Sequence, residues 1–179
     1  TKFNDNLAAL RTLKTLEIEQ RPATKSEQET LSKFVGWGQF PQAFDWRKDY
    51  SQYQKWEKER DELKQLVGDE GFASAARSTI NSHYTAPSVI EANWKMAERL
   101  GFKGGKYLEP AVGGGYYIGL MPEHLAAKTN VTAVEMDETS GAITKELYPS
   151  ANVHSTPFEQ HATPNNCFDL VATNVPFAD

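Results

Sequence analysis

The feature that most constrains the fold is an alternation of short apolar strands and helices in the second half of the chain. The strands are predicted at 106–109, 131–135, 152–154 and 168–173, and the helices at 87–100, 116–127 and 139–147. Strands separated by helices form right-handed βαβ units and pair in parallel. The pattern therefore predicts an α/β fold with the strand order 3-2-1-4 and helices on both faces. Ligands of such sheets lie at the carboxyl ends of the strands.

The first 80 residues follow a different pattern, which predicts helices only. These helices are expected at 6–20, 24–35, 51–66 and 70–78. Thr24 and Glu27 have the spacing of a capping box at the start of the second helix. Residues 37–56 carry seven aromatic side chains, which form either a base-stacking surface or a packing surface against a neighbouring domain. Basic residues do not interleave densely with the rings, which favours packing. The sequence thus predicts a helical region over 1–80 and a second domain over 81–179.

Charge and cysteine content exclude several functions. The 179 residues carry a net charge of −5, which divides into +1 over residues 1–67 and −6 over residues 68–179. No long basic run is present, so we do not expect this chain alone to bind a phosphate backbone tightly. A single cysteine, Cys167, rules out an internal disulfide and predicts a reducing, cytoplasmic setting. No apolar run is long enough to span a membrane. The chain lacks an initial methionine, so we expect it to be part of a longer protein.

A glycine-rich turn, Glu109-Pro110-Ala111-Val112-Gly113-Gly114-Gly115, follows the first predicted strand. Glycine lets a backbone turn sharply and approach a ligand closely. Free amides at the start of the following helix would point to the same place. The dinucleotide fingerprint G-x-G-x-x-G is not matched, because Ile118 stands where the third glycine belongs. The turn therefore predicts a ligand site that is not an NAD site, and a purely structural turn is the alternative.

An acidic residue, Glu135, ends the second predicted strand, 20 residues after Gly115. A carboxylate at this place can accept hydrogen bonds from both hydroxyls of a ribose. Acidic residues also end strands for structural reasons, so Glu135 alone is weak evidence. Together with the glycine turn it predicts an adenosine-containing ligand.

The last predicted strand ends in Thr173-Asn174-Val175-Pro176-Phe177. The amide oxygen of Asn174 and the backbone carbonyl of Val175 could both accept from one exocyclic amino group. Phe177 could stack on the planar base that carries this amine. The alternative is an ordinary turn that starts at an asparagine and is followed by a core phenylalanine.

The four histidines do not have the spacing of metal ligands. His83, His124, His154 and His161 lie on separate segments, and we expect surface or loop positions for them. His83 belongs to the segment His83-Tyr84-Thr85-Ala86-Pro87, which by itself predicts only the start of a helix. No metal is therefore predicted.

Taken in order, these segments resemble the motifs of S-adenosylmethionine-dependent N6-adenine DNA methyltransferases. The matching motifs are 83–87, Leu108-Glu109-Pro110 with Gly113 and Gly115, Val134-Glu135, Phe158-Glu159 and Asn174-Val175-Pro176-Phe177. Their order is similar to the gamma arrangement of that family. Phe34-Val35-Gly36-Trp37-Gly38, 78–85 and Ile118-Gly119-Leu120-Met121-Pro122 further resemble the amino-terminal part of large methylase–helicase fusion proteins of phages, plasmids and conjugative elements.

The resemblance implies a Rossmann-like methyltransferase fold and a role for each matching residue. Tyr84 and Thr85 would contact the methionine end of S-adenosylmethionine. Glu109, Pro110, Gly113 and Gly115 would shape its pocket. Glu135 would hold the ribose and Met136 would lie against the adenine. Asn174, Val175, Pro176 and Phe177 would receive the target adenine.

Two positions depart from the family pattern. The catalytic motif of the family usually has two prolines, and Val175 replaces the first. Valine keeps the carbonyl acceptor, and Pro176 still restricts Val175 to extended conformations. The acid that usually meets the adenine amine of the cofactor is displaced, because Phe158 holds its place and Glu159 follows.

The resemblance implies an enzyme fragment that belongs to a DNA adenine-N6 methyltransferase and is inactive by itself. DNA would be bound through regions outside this chain, a helicase would be fused or associated, and no membrane would be involved. One alternative is a catalytically inactive methyltransferase-like scaffold in a helicase or defence complex. Another is an N-methyltransferase that acts on a small molecule or a protein.

Overall fold

A computed structural model of the chain describes residues 1–45, 47, 49–79 and 85–174. The chain divides into two compact units, residues 1–84 and 85–179. Among the described residues, no helix combines the length and the apolar character that crossing a membrane requires.

The first unit contains the helices α1 (Lys2–Glu19), α2 (Lys25–Leu31), α3 (Pro41–Phe44), α4 (Tyr50–Lys55) and α5 (Glu57–Ser78). The helix predicted at 51–66 is divided at Trp56 into α4 and the first part of α5. The helix predicted at 70–78 is the second part of α5, which is interrupted at Gly68, where φ is 71° and not helical. The helix α3 was not predicted, because its four residues show too little of a helical period.

Side-chain hydrogen bonds fix the two loops of this unit that the sequence singled out. The capping box is confirmed, since the Thr24 hydroxyl accepts from the Glu27 amide and the Glu27 carboxylate accepts from the Thr24 amide at 2.8 Å. The buried Asn6 side chain donates to the Gly36 carbonyl at 2.6 Å and accepts from the Val35 amide at 2.9 Å. Asn6 therefore pairs with two half-buried backbone groups of the loop that follows α2.

Aromatic rings form the core of the helical unit. Phe3 is fully buried, and its ring lies 4.7–5.3 Å from the rings of Trp37, Phe40 and Trp56. Edge-on and tilted ring pairs at such distances stabilise a core beyond the area that they bury. Trp37, Phe40, Phe44 and Trp56 of the 37–56 segment thus pack within the unit itself, whereas Tyr50 is 60% exposed. Packing within the unit differs from both interpretations of the sequence, a base-stacking surface and a packing surface against a neighbouring domain.

The second unit is built on a parallel sheet of four strands. They are β1 (Gly105–Glu109), β2 (Thr129–Glu135), β3 (Asn152–Ser155) and β4 (Leu170–Val171), in the order β3-β2-β1-β4. β1 pairs with β2 from Gly105↔Thr129 to Glu109↔Ala133 and with β4 at Tyr107↔Leu170 and Leu108↔Val171. The predicted α/β class, parallel pairing and strand order are confirmed. β4 is shorter than the predicted strand at 168–173.

The helices of this unit are α6 (Pro87–Arg99), α7 (Tyr116–Gly119), α8 (Glu123–Ala126) and α9 (Glu138–Leu147), followed by a 3₁₀ turn, Phe158–Gln160. Pro122 divides the helix predicted at 116–127 into α7 and α8. The core over one face of the sheet joins Trp94 of α6 and Tyr117 of α7 to Tyr107 of β1.

The prediction of helices on both faces is wrong for the described residues of the second unit. Tyr107, Ala133 and Val153 share the face that α6 to α8 cover, as their register and core contacts require. On α9, Gly141 lies against Glu135 and Ser155 on this same face. From β1 to β2 and from β2 to β3, the chain moves in the same direction across the sheet. Right-handed crossovers that move in the same direction place their connecting helices on the same face of the sheet. Between β3 and β4 the described chain has only the 3₁₀ turn.

Candidate functional site

The carboxyl end of β1 carries a buried acid. Glu109 is 2% exposed, and its Oε2 lies 3.2 Å from the hydroxyl of Tyr107 on the same face of the strand. The same hydroxyl donates to the Ala172 carbonyl at 2.8 Å. The Tyr107 hydroxyl is the donor in both contacts, so its one proton is shared between the Glu109 carboxyl and the Ala172 carbonyl. Burial, reinforced by the charge of Glu135, raises the pKa of Glu109 well above its ordinary value, and the contact with Tyr107 opposes this shift only in part.

The glycine turn is attached to β2 and α9 through Gly113. The Gly113 amide donates to Oε2 of Glu135 at 2.7 Å, and its carbonyl accepts from the hydroxyl of Thr144 at 2.9 Å. Gly113 has a φ of 52°, and no atom lies within 4 Å of the place where a Cβ would stand. This turn therefore has a fixed backbone and leaves open space above Gly113.

Gly115 has a different surrounding from Gly113. Its φ is 78°, and a Cβ at this position would overlap the ring of Tyr148. The side chain of Tyr148 thus fills the space that glycine leaves here. Gly115 is also the N-cap of α7, which has only four residues, so α7 is too short to supply the helix amides that the sequence argument assumed.

Glu135 ends β2 and is held by three backbone amides. Its Oε2 accepts from Gly113, and its Oε1 accepts from the Asp137 amide at 2.9 Å. Burial raises the pKa of Glu135, while the hydrogen bonds from the amides of Asp137, Gly113 and Met136 lower it. A carboxylate offers about four acceptor positions, so one remains on Glu135 for a donor of a ligand.

The three residues expected around an adenine lie past the carboxyl ends of β2 and β3. Met136 is 67% exposed and Phe158 is 46% exposed, so both side chains are accessible to a ligand. Glu159 is also exposed, on the 3₁₀ turn next to Phe158. Pro110, which follows Glu109, begins the glycine turn and is half-buried.

Asn174 follows β4 by three residues and contacts the start of α6. Its side-chain amide donates from Nδ2 to the hydroxyl of Thr85 at 3.0 Å, across 89 positions of sequence. The preceding residue, Thr173, has a buried hydroxyl with no hydrogen-bond partner among the described residues. The other predicted members of this part of the site, Tyr84, Val175, Pro176 and Phe177, lie outside the described residues.

The strand order places these groups side by side. β4, β1 and β2 are neighbours, so the carboxyl edge of the sheet carries Asn174, then Glu109 with the glycine turn, and then Glu135. This edge combines an asparagine amide held by Thr85, a turn with three consecutive glycines and a carboxylate with an acceptor position left for a ligand. Such an arrangement can bind a ligand that has both hydroxyl groups and an amine.

Sequence reasoning missed Tyr107, Thr144 and Tyr148. Tyr107 stands two positions before Glu109 in a strand, and this spacing places the two polar groups on one face. That signal could have identified Tyr107. Thr144 and Tyr148 contact the glycine turn from α9 and from its C-cap, and nothing local to either residue indicates these contacts.

The described histidines lie apart from the three groups on the carboxyl edge. His124 pairs with Glu98 at 2.6 Å on the exposed side of α8. His154 of β3 and His161 have ring centroids 4.4 Å apart, and burial with the nearby positive charges lowers the pKa of His154. In the described part of the chain, no three side chains of the metal-binding types come together as a possible metal site.

Comparison with known proteins gives two similarities, and no protein-family model matches the chain. Over 119 residues, which are 65% of this chain, it is 34% identical to "Defense against restriction protein B" of Escherichia phage P1. The chain spans about 5% of the length of that protein.

The second similarity is to a crystal structure of a putative class I S-adenosylmethionine-dependent methyltransferase of Listeria monocytogenes. It covers 98% of this chain and 59% of that chain, at 12% identity and a TM-score of 0.48. A TM-score below 0.5 does not establish a common fold, and the Rossmann-like character of the second unit rests on its strand order.

Proposed function

We propose that this chain is the helical region and cofactor-binding half of a DNA methyltransferase that transfers a methyl group from S-adenosylmethionine to adenine N6. One observation carries the proposal. Asn174, the glycine turn and Glu135 follow three neighbouring strands at the same edge of the sheet. The motif resemblance supplies the family, and the carboxyl edge of a parallel sheet is where ligands of such folds bind.

The residues at this edge fit an adenosine cofactor. The open space above Gly113 is what a closely approaching ligand needs, and a Cβ would fill it. Glu135 keeps one acceptor position for a ribose hydroxyl. The exposed Met136 and Phe158 offer apolar contact for adenine, with Glu159 next to them. S-adenosylmethionine, when bound, supplies an electrophilic methyl group on its sulfonium sulfur. Tyr84 belongs to the same proposed site by resemblance.

Asn174 is the proposed catalytic residue. Its Oδ1 would accept a hydrogen bond from the adenine amine, and the Val175 carbonyl would accept a second one. These acceptors would direct the nitrogen lone pair toward the methyl group. Pro176 would restrict Val175 to extended backbone, and Phe177 would stack on the extruded base.

DNA binding would require other parts of a longer protein. Extruding an adenine from duplex DNA costs a few kcal/mol that must be offset by binding. This chain carries a net charge of −5 and no basic run. We therefore assign target recognition to regions outside it, with a fused or associated helicase as the proposed partner.

The second candidate is a methyltransferase-like scaffold without activity in a helicase or defence complex. The name of the phage P1 relative, a defence protein against restriction, is compatible with this candidate. The replacement of a proline by Val175 in the catalytic motif is the sequence feature that favours it.

The test is transfer of tritium from labelled S-adenosylmethionine to adenine-containing duplex DNA. We expect transfer by the longer protein and none by the 179-residue chain alone. Asn174→Ala in the longer protein should abolish transfer and leave cofactor binding largely intact. Asn130→Ala is the matched control, because Asn130 is exposed near the opposite edge of the sheet.

Three results would count against the proposal. Strong transfer by the 179-residue chain would show that no further DNA-binding region is needed. Full transfer by Asn174→Ala would remove the proposed catalytic residue. Failure of the longer protein to act on varied DNA, with cofactor still bound, would favour the inactive scaffold.

A further inference from the structure

The contact between Asn174 and Thr85 assigns a direction to the asparagine side chain. An asparagine amide has a donor end, Nδ2, and an acceptor end, Oδ1, which exchange places when the amide turns by about 180°. In this structure the donor end rests on the Thr85 hydroxyl at 3.0 Å. The acceptor end is consequently the end that faces away from Thr85.

Both partners of this contact are held by packing around Tyr107. Thr85 precedes α6, whose buried Trp94 packs edge-on against the Tyr107 ring at 5.1 Å between centroids. The Tyr107 hydroxyl also holds the Ala172 carbonyl, two residues before Asn174. The segments that carry Thr85 and Asn174 thus each contact the buried Tyr107 side chain, one through Trp94 of α6 and the other through Ala172.

We propose that Thr85 is a positioning residue that holds Asn174 with its amide oxygen directed to the substrate amine. This inference rests on the proposed function and deepens it. The substrate amine is a hydrogen-bond donor. If the Asn174 NH₂ pointed toward this amine, two donors would face each other and no hydrogen bond would form. A hydroxyl can accept or donate. When Oδ1 of Asn174 accepts from the substrate amine, its Nδ2 faces Thr85, and the Thr85 hydroxyl accepts from it. The resemblance implied a different role for Thr85, a contact with the methionine end of the cofactor.

The two roles predict different kinetic effects of Thr85→Val, which removes the hydroxyl and keeps the shape. Loss of one neutral hydrogen bond should slow single-turnover transfer at saturating cofactor roughly 3- to 10-fold. The Kd of S-adenosylmethionine for the 179-residue chain, measured by titration calorimetry, should stay within about twofold. Thr85→Ser keeps the hydroxyl and should behave as the unmodified protein.

Thr129→Val is the matched control. It removes a threonine hydroxyl that donates to the Leu125 carbonyl at 2.7 Å at the amino end of β2, far along the strand from Glu135. Its transfer rate at saturating cofactor should be unchanged. If Thr85→Val fails to fold, as judged by its thermal transition, Thr85→Ala provides the same removal of the hydroxyl without a branched side chain.

The contact can also be measured without activity. In a nitrogen-15 NMR spectrum of the 179-residue chain, the Asn174 side-chain amide is identified by its loss in Asn174→Asp. Its Nδ2 signals should move in Thr85→Val and stay in place in Thr85→Ser. If these signals move while no form of the longer protein transfers a methyl group, the positioning contact stands and the proposed function fails.

The remaining outcomes would overturn the inference. A weaker cofactor Kd with an unchanged rate at saturation would assign Thr85 to the cofactor. Equal losses in Thr85→Val and Thr85→Ser would show that the hydroxyl is not responsible. Unchanged amide signals in Thr85→Val, or an unchanged rate in an active protein, would show that Thr85 does not hold Asn174.

Discussion

Two glycines of one turn should respond in opposite ways to the same substitution. Gly113 and Gly115 have φ values of 52° and 78°, so alanine at either position would be held in a left-handed conformation. Their surroundings differ, because the Cβ of residue 115 would overlap the Tyr148 ring while that of residue 113 would meet no atom within 4 Å. Gly115→Ala is therefore expected to affect stability, and Gly113→Ala to affect the ligand.

The magnitudes follow from two separate costs. A left-handed backbone costs an L-residue about 1–2 kcal/mol. Extra atoms forced into a packed site add about 1–3 kcal/mol. Gly115→Ala should thus lower the free energy of unfolding by about 2–5 kcal/mol, and Gly113→Ala by about 1–2 kcal/mol. The larger value is a substantial part of the roughly 5–15 kcal/mol that stabilises a typical domain.

Urea unfolding followed by circular dichroism measures the first effect, and calorimetric titration with S-adenosylmethionine measures the second. The Gly113→Ala variant should shift the urea midpoint less than Gly115→Ala does, and it should bind the cofactor more weakly by about tenfold or more, since its methyl group enters the proposed pocket. Combining Gly115→Ala with Tyr148→Ala removes the overlapping ring. The added cost of Gly115→Ala in that background should fall to the cost of Gly113→Ala.

The reasoning would be refuted by equal midpoints for the two alanine variants. It would also fail if the cost of Gly115→Ala were the same with and without the Tyr148 ring. Unchanged cofactor affinity in Gly113→Ala would show that the open space above this residue is not the ligand pocket.

Three further predictions concern Glu135, Glu109 and Asn6. Glu135→Ala should weaken binding of S-adenosylmethionine about 10- to 100-fold by calorimetry, because it removes at least one hydrogen bond to a charged group, worth about 1.5–3 kcal/mol; an unchanged affinity would exclude the ribose role. The free energy of unfolding should fall less steeply with rising pH in Glu109→Gln than in the unmodified chain. The raised pKa of Glu109 means that the folded protein keeps a proton which the unfolded chain releases, so stability falls at up to about 1.4 kcal/mol per pH unit from the ordinary carboxyl pKa up to the raised one. Urea midpoints between pH 5 and pH 8 that decline equally in both proteins would contradict this. Asn6→Ala leaves the Val35 amide and the Gly36 carbonyl without their partner and should destabilise the helical unit by about 1–3 kcal/mol in thermal unfolding; Asn4→Ala, at an exposed position of the same helix, is the control.

The parts of the fold that were predictable are those that the sequence encodes locally. The strand order followed from the alternation of strands and helices, and the capping box from Thr24 and Glu27 three positions apart. Glu135 could be singled out because it ends an apolar strand. The two-faced arrangement of helices was wrong for the described residues of the second unit, because helices on both faces require a crossover in the opposite direction, and between β3 and β4 the described chain has only a 3₁₀ turn.

The contacts that escaped prediction join residues far apart in sequence. The Tyr107 hydroxyl meets a carbonyl 65 positions away, and the Asn174 amide meets Thr85 across 89 positions. Thr144 in α9 and Tyr148 at the C-cap of this helix contact the glycine turn. No periodicity or motif spacing in a single sequence indicates that these residues are in contact. They are fixed by tertiary packing, and the roles of the residues at the candidate site depend on them.

The unequal pairing of β1 has a consequence for the order in which the protein folds. β1 pairs with β2 over five positions and with β4 over two. The first three strands lie within residues 105–155, whereas β4 must return across more than 60 positions to reach β1. Contacts between distant segments form later because closing a longer loop costs more entropy. The β1–β2–β3 part should therefore assemble first, and β4 should dock onto a surface that already exists. Asn174 would then be among the last residues of the sheet unit to reach its place and among the first to leave it.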